Sequence, residues 1–316
     1  MKKLAAILPL LILFHGCSKI DGELITVSSD ASPGFNFDYF LFIPDEIAPD
    51  NSVSLIVEPN NTGFTSDAMD DHRKQAENLA TNKRNLGNFL AHELGYPLLI
   101  PVFPRGKENW RIYTHALDRD VMLQKENALE RIDIQLLAMV ADAKEKLVSR
   151  GYSINEGMVL TGFSASGTFA NRFSALHPDK VSACIAGGLN GILMLPVDSL
   201  DNTALNYPLG TNDFYEITGR HFDSLAFKHT PQFLFMGKLD DNDAASYDDA
   251  YDDNERAIIY TVLGEQMQPE RWNRCIEVYV EQAIHAELKT YKDIGHEPSE
   301  HIKNDILEFV KEHTKQ

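Results

Sequence analysis

The sequence predicts an α/β domain, a mainly parallel sheet covered by helices on both faces. Three observations lead there. Short apolar runs bounded by turn residues alternate with longer stretches of helical period, the pattern of strands buried on both faces. One such run, at 158–160, passes through a turn of small residues directly into a helix that opens at Ala165. The length of 316 residues and the apolar fraction of 43% suit one large domain with its own core.

Taken in order, residues 23–28 and 37–43 alternate with the period of half-exposed antiparallel strands, the second stopped by Pro44, and belong at the sheet edge. The first buried strand is Val53-Ser54-Leu55-Ile56-Val57, which ends in Glu58-Pro59-Asn60-Asn61. Residues 65–94 are polar, with Ala76, Leu79, Ala80, Leu86, Phe89 and Leu90 at helical spacing. A second buried strand at 97–103 runs into a loop dense in aromatic and charged side chains. Loops at the carboxyl ends of strands form ligand sites in open α/β sheets, so Trp110, Tyr113 and His115 are candidate substrate contacts. Residues 128–147 are amphipathic, with Ile132, Leu136, Met139, Val140, Ala143 and Leu147 on one stripe. Further buried strands follow at 181–188, 231–236 and 287–291, with a closing helix over 302–310. Between 189 and 230 Pro196, Pro208, Gly210 and Gly219 break the periodicity. That segment is too long for an ordinary connection and is expected to be an insertion that shapes the pocket.

The N-terminus has Lys2 and Lys3, an apolar run over 4–14, and then His15-Gly16-Cys17. This is the pattern of a secretory leader over 1–16 ahead of a mature domain over 17–316. The Gly-Cys junction resembles a bacterial lipoprotein processing site. It implies an exported protein whose Cys17 carries a lipid that holds it to a membrane, on the periplasmic or cell-surface side. Cys184 and Cys275 are expected to be buried, unpaired thiols. The formal charge of −18 argues against nucleic acid as a partner. No histidine pair has metal-ligand spacing beside a glutamate and no glycine-rich phosphate loop is present, so neither metal nor cofactor is expected. The acidic run from Asp240 to Glu255 lacks the spacing of a calcium loop and reads as a solvated helix face.

Chemistry concentrates at Gly162-Phe163-Ser164-Ala165-Ser166-Gly167. A strand-to-helix reversal this tight forces strained backbone on its apex, and only small residues two places to either side avoid a clash. Such a turn holds the Ser164 hydroxyl at the sheet's carboxyl edge and puts the Ala165 N–H where an oxyanion would form. A serine hydroxyl needs a base to take its proton and an acid to orient that base. Among eleven histidines, His296 stands out, since Gly295-His296 follows the last strand and precedes the last helix. His177 before Pro178 reads as a helix end, and His72, His92, His285, His301 and His313 as helix-surface residues. For the acid, Asp240 in Gly237-x-x-Asp240 follows the strand at 231–236, with Asp243 second and Asp241 also within reach.

The turn resembles the nucleophile elbow, Gly-x-Ser-x-Gly, of the α/β-hydrolase superfamily, with Ser166 in place of the last glycine. Ser164, Asp240 and His296 also follow the superfamily's chain order. The resemblance implies an α/β-hydrolase fold from about residue 53 to the C-terminus. It also implies a serine hydrolase acting on carboxylic esters through an acyl-enzyme, without a cofactor, with a second oxyanion donor at Asn60 or Asn61. Gly162-Phe163-Ser164-Ala165-Ser166-Gly167, Asn171-Arg172-Phe173 and Leu176-His177-Pro178 resemble the secreted depolymerase, feruloyl- and acetyl-esterase branch. Two alternatives remain open at this level. One is a peptidase or amidase using the same triad; the other is a surface lipoprotein that binds a glycan or polymer without turnover.

Overall fold

The computed structural model describes residues 21–47, 52–61 and 64–314, so Cys17 and the leader lie outside the described residues. In chain order the strands are β1 (Gly22–Val27), β2 (Tyr39–Pro44), β3 (Ile56–Val57), β4 (Leu98–Pro101), β5 (Met158–Phe163), β6 (Val181–Gly187), β7 (Ser199–Leu200), β8 (Thr203–Ala204), β9 (Gln232–Gly237) and β10 (Ala286–Tyr291). Eight of them form one sheet in the order β1-β2-β4-β3-β5-β6-β9-β10, and β7 and β8 form a separate hairpin. β2 is antiparallel to β1 and β4, and the remaining neighbours in the large sheet are parallel. Parallel strands need crossover helices, and these cover both faces.

The helices Met69–Thr81, Leu86–Leu94 and Glu300–Thr314 pack Ala76, Leu90, Ile302, Ile306 and Phe309 against one face. On the other face Ile132–Ser149, Ala165–Leu176 and Trp272–Glu281 bury Leu136, Met139, Phe169, Phe173 and Trp272. β2 departs from expectation, because all six of its residues are buried. It lies one place in from the edge, with Phe40 and Phe42 in one core layer and Leu41 and Ile43 in the other. Within this sheet the exposed positions fall on the two outer strands, Glu23 and Thr26 of β1 and Glu287 and Thr290 of β10.

The segment 189–230 places Asn190 on the cavity beside Ser164. It buries Leu193, Leu195, Tyr207, Leu209, Phe214 and Phe227 in the core, and it is tied down by the Tyr207 hydroxyl on the Leu117 carbonyl (2.5 Å) and by Arg119 on Asp213 (2.6 Å). His72 is no surface residue but fully buried, 2.8 Å from the Ser66 carbonyl oxygen through Nε2. His177 does end a helix as expected, but it too is buried, with Nε2 2.8 Å from Asp133 Oδ2. Cys184 and Cys275 are buried free thiols. Among the described residues no helix is long and apolar enough to cross a membrane.

Glu58, just past β3, is buried, and its Oε2 accepts the Gly87 N–H at 2.8 Å. Burial pushes its carboxyl from the ordinary 4.5 up to about 7, against the smaller opposing effect of that hydrogen bond. The folded state therefore holds a proton that the unfolded chain has lost between about pH 4.5 and pH 7. Stability contributed at low pH falls across that window and levels off above it, by about 3 kcal/mol for this group. Glu58→Gln keeps an oxygen for Gly87 and removes the ionisation. It is expected to raise Tm at pH 8 while leaving Tm at pH 4.5 nearly unchanged, as read by thermal melts at the two pH values.

Candidate active site

β5 delivers Ser164 and the helix Ala165–Leu176 carries the chain away. Ser164 has φ 61° and ψ −125°, a conformation that costs a non-glycine residue of order 1–3 kcal/mol. It is held there by its N–H on the Gly187 carbonyl (2.8 Å) and by its own carbonyl, which accepts the Thr168 N–H (2.9 Å). Gly162 permits the turn, since a Cβ there would lie 2.3 Å from the Ser166 carbonyl oxygen. Ser166, in the place of the motif's last glycine, is fully buried and laces the turn. Its Oγ accepts the Phe163 N–H (3.0 Å) and donates to the Phe163 carbonyl (2.9 Å). The Ala165 N–H is one of the four at a helix start with no intrahelical acceptor.

The turns after β9 and β10 meet beside this elbow. The N–H of Leu239 bonds the Ile294 carbonyl at 2.8 Å, and a Cβ on Gly237 would lie 2.3 Å from the Gly295 carbonyl oxygen. This close approach puts Asp240 under His296. Asp240 Oδ2 is 2.9 Å from His296 Nδ1, and its Oδ1 accepts the Asn242 N–H at 3.0 Å. The Asp240 side chain is 1% exposed and His296 26%, so the carboxylate is shielded while the ring reaches the surface of the site. Asp243 is committed elsewhere: its Oδ2 pairs with the buried Arg271 at 2.5 Å, and its Oδ1 caps a short helical turn through the Ala245 N–H.

The imidazole leans on Phe163, with ring centroids 4.7 Å apart, and a Cβ on Gly188 would come within 2.9 Å of its Cε1. His296 is thus on the elbow's side of the molecule. Ser164 Oγ and His296 Nε2 are not hydrogen-bonded to each other here; Nε2 faces the Asn242 side-chain amide at 3.3 Å.

A cavity of about 260 Å³ opens beside Ser164 and Ala165, lined also by Asn61, Thr168, Arg172, Asn190 and Asn242. Of the two candidate asparagines, Asn61 lines it and donates through Nδ2 to the Phe163 carbonyl at 2.7 Å, tying the β3 loop to the elbow. Asn60 is buried, and its side chain grips both the N–H and the carbonyl of Phe103.

Of the three aromatic-loop candidates, Tyr113 lines the cavity and lies under Arg105, whose Cζ is 3.6 Å from the ring centroid. His115 does not line it. It is fully buried, with Nε2 2.8 Å from the Phe103 carbonyl oxygen. Trp110 stands at the surface, 40% exposed.

The opposite wall comes from residues read in the sequence as a helix face. The chain over 247–252 is instead a loop, with Tyr247, Asp249, Ala250 and Tyr251 on the cavity. The helix waits until Asp253–Val262, where Asp252 and Glu255 form a capping box. Asp249 is ion-paired with the buried Arg105, which ties this loop to the one after β4. The sequence held no sign of that pairing, because partners so far apart share no local pattern.

No family model and no curated protein matches this chain. Solved structures resemble it across most of its length. They include poly(aspartic acid) hydrolase-1 from Sphingomonas sp. KT-1, 16% identical, covering 91% of this chain and 97% of that one with a TM-score of 0.56. An S-formylglutathione hydrolase from Agrobacterium tumefaciens is 15% identical over 94% of this chain and 96% of that one, with a TM-score of 0.52. A poly(3-hydroxybutyrate) depolymerase from Bordetella parapertussis is 16% identical over 94% and 92%, also with a TM-score of 0.52. The likeness is one of fold: the sheet order, the crossovers and the elbow of this chain are those of the α/β-hydrolase fold.

Proposed function

We propose that this chain is a serine hydrolase that cleaves carboxylic esters through an acyl-enzyme, and that it is exported and anchored to a membrane by a lipid on Cys17. One observation carries the catalytic reading. A shielded carboxylate holds an imidazole through Nδ1, 2.9 Å away, beside a serine at a strained strand-to-helix turn. A strained serine alone, or an Asp–His pair alone, does not define a reaction. The two together, at the carboxyl edge of one parallel sheet, supply a nucleophile, a base and an orienting acid in one place.

In the reaction, substrate entry displaces the Asn242 amide from His296 Nε2, and the ring turns that lone pair to Ser164. The Oγ–H proton passes to Nε2 as Oγ bonds the ester carbonyl carbon, and the carbonyl oxygen takes the negative charge. The N–H groups of Ala165 and of the β3 loop, at Asn61 in preference to Asn60, receive that oxyanion. His296 then gives its proton to the departing alcohol oxygen as the C–O bond breaks. Water, deprotonated by the same nitrogen, releases the acid by the reverse path. Asp240 keeps its negative charge throughout and fixes the tautomer with the proton on Nδ1.

The named relatives act on poly(aspartic acid), S-formylglutathione and poly(3-hydroxybutyrate). So the fold leaves the acyl group open, and the pocket has to be read for it. The test is hydrolysis of 4-nitrophenyl butyrate. The wild type is expected to turn it over, and S164A to fall by about 10⁴-fold or more, to the residual rate left by the oxyanion donors. Comparable activity in S164A overturns the assignment.

A further inference from the structure

Arg172 sits two turns along the helix that Ser164 opens, and Thr168 one turn along, so the three share a face. Both Thr168 and Arg172 line the cavity beside Ser164, and they are 6% and 4% exposed. The Arg172 guanidinium donates from Nη1 to the Ala116 carbonyl (3.0 Å) and from Nη2 to the Tyr251 hydroxyl (3.1 Å). Both acceptors are neutral, and among the described residues no carboxylate comes within 4 Å of it. The other buried arginines are paired, Arg105 with Asp249 and Arg271 with Asp243. Arginine stays charged at any ordinary pH, and a buried cation with only neutral partners is costly unless a ligand completes it. Beside it, Thr168 Oγ1 is buried with no hydrogen-bond partner among the described residues. The two carboxyls that feel Arg172 at longer range, Asp118 and Glu255, are both pushed by burial towards their neutral forms, Asp118 to about 7.

We infer that Arg172 and Thr168 form a carboxylate subsite, so that the ester cleaved at Ser164 is one whose acyl part ends in a second carboxylate. This deepens the serine hydrolase reading and rests on it. The acyl side is indicated because the leaving oxygen must lie at His296 to be protonated, whereas the cavity runs from Ser164 and Ala165 towards Arg172 and is not lined by His296. Two helical turns separate the Cα atoms by roughly 12 Å, and helix side chains lean back towards the N-terminus, which brings the guanidinium nearer the serine. A linear dicarboxylic acyl chain of a few methylenes spans what remains. Its carboxylate takes charge-assisted hydrogen bonds from the guanidinium and a donor in the Thr168 hydroxyl.

The experiment compares 4-nitrophenyl hydrogen adipate with its methyl-capped counterpart, which has the same adipoyl chain but no charge, for wild type, Arg172→Met, Arg172→Lys and Thr168→Val. Wild type is expected to favour the free acid at least tenfold in kcat/KM, chiefly through KM. Arg172→Met is expected to bring the ratio to about one, Arg172→Lys to restore part of it, and Thr168→Val to lower it severalfold. Equal turnover of both esters by wild type overturns the subsite, and so does a preference unchanged in Arg172→Met. Should Arg172→Met not fold, ratios unchanged in both other variants overturn it. S164A separates the two readings. If S164A is inactive and wild type shows no preference, only the subsite falls. If wild type cleaves neither ester, the hydrolase reading falls, and calorimetric titration of adipate then reads the subsite directly: absent binding, or binding unaffected by Arg172→Met, rejects it.

Discussion

Replacing Asp240 by asparagine is expected to lower kcat/KM for 4-nitrophenyl butyrate by about 10⁴-fold while Tm stays within a few degrees of wild type. The carboxylate accepts the Nδ1–H of His296 at 2.9 Å. An amide in its place can present a donor to Nδ1 and drive the proton to Nε2, where the ring can no longer accept one from serine. Asp243, three residues on, is expected to behave in the opposite way. Its carboxylate neutralises the fully buried Arg271 at 2.5 Å, so Asp243→Asn leaves a buried charge uncompensated. Asp243 is itself 34% exposed, and the loss of stability is about 1–3 kcal/mol, with activity per folded molecule within tenfold of wild type. Kinetics and thermal melts on the two variants decide between the carboxylates. A catalytic collapse in Asp243→Asn with Asp240→Asn still active would reverse the assignment.

Gly162→Ala is expected to have the largest effect on folding. The added methyl would meet the Ser166 carbonyl oxygen at 2.3 Å and its carbonyl carbon at 2.4 Å. Those are backbone atoms in the first turn of a buried helix and cannot swing aside as a side chain could. The cost is about 3 kcal/mol or more, or a fall in Tm of roughly 5 °C or more in a chain this size. Relief of the clash moves the helix start, so the Ala165 N–H leaves its place and activity falls with stability. Gly106→Ala, whose Cβ would have 3.5 Å to its nearest neighbour, is the control and is expected to stay within about 0.5 kcal/mol.

The elbow was legible in the sequence because its constraints are local. A strand, a serine between small residues and a helix all fall within a dozen positions. His296 and Asp240 were legible for a similar reason, as each follows a buried strand, and the parallel order of those strands gathers their carboxyl ends at one edge. What lay beyond reach depends on partners distant in the chain. The acidic stretch after Asp240 has the composition of a solvated helix, yet Asp249 finds Arg105 and the stretch becomes a cavity wall. His115 looks like a pocket residue in its aromatic loop, yet it is buried against Phe103, because a 3₁₀ turn over Thr114–Ala116 points it inward. The apolar residues over 189–230 lack helical period because they pack as separate short pieces on an existing core. Arg172 belongs to a local sequence pattern, Asn171-Arg172-Phe173, but its lack of a carboxylate partner among the described residues is a fact of three dimensions only.

Labelling with a fluorophosphonate, read by intact mass and peptide mapping, tests the catalytic constellation most directly. The expected result is one adduct per molecule, on Ser164, formed at a rate that drops by several orders of magnitude in His296→Ala. An adduct on a different serine, or labelling of Ser164 that proceeds equally fast without the imidazole, would contradict it.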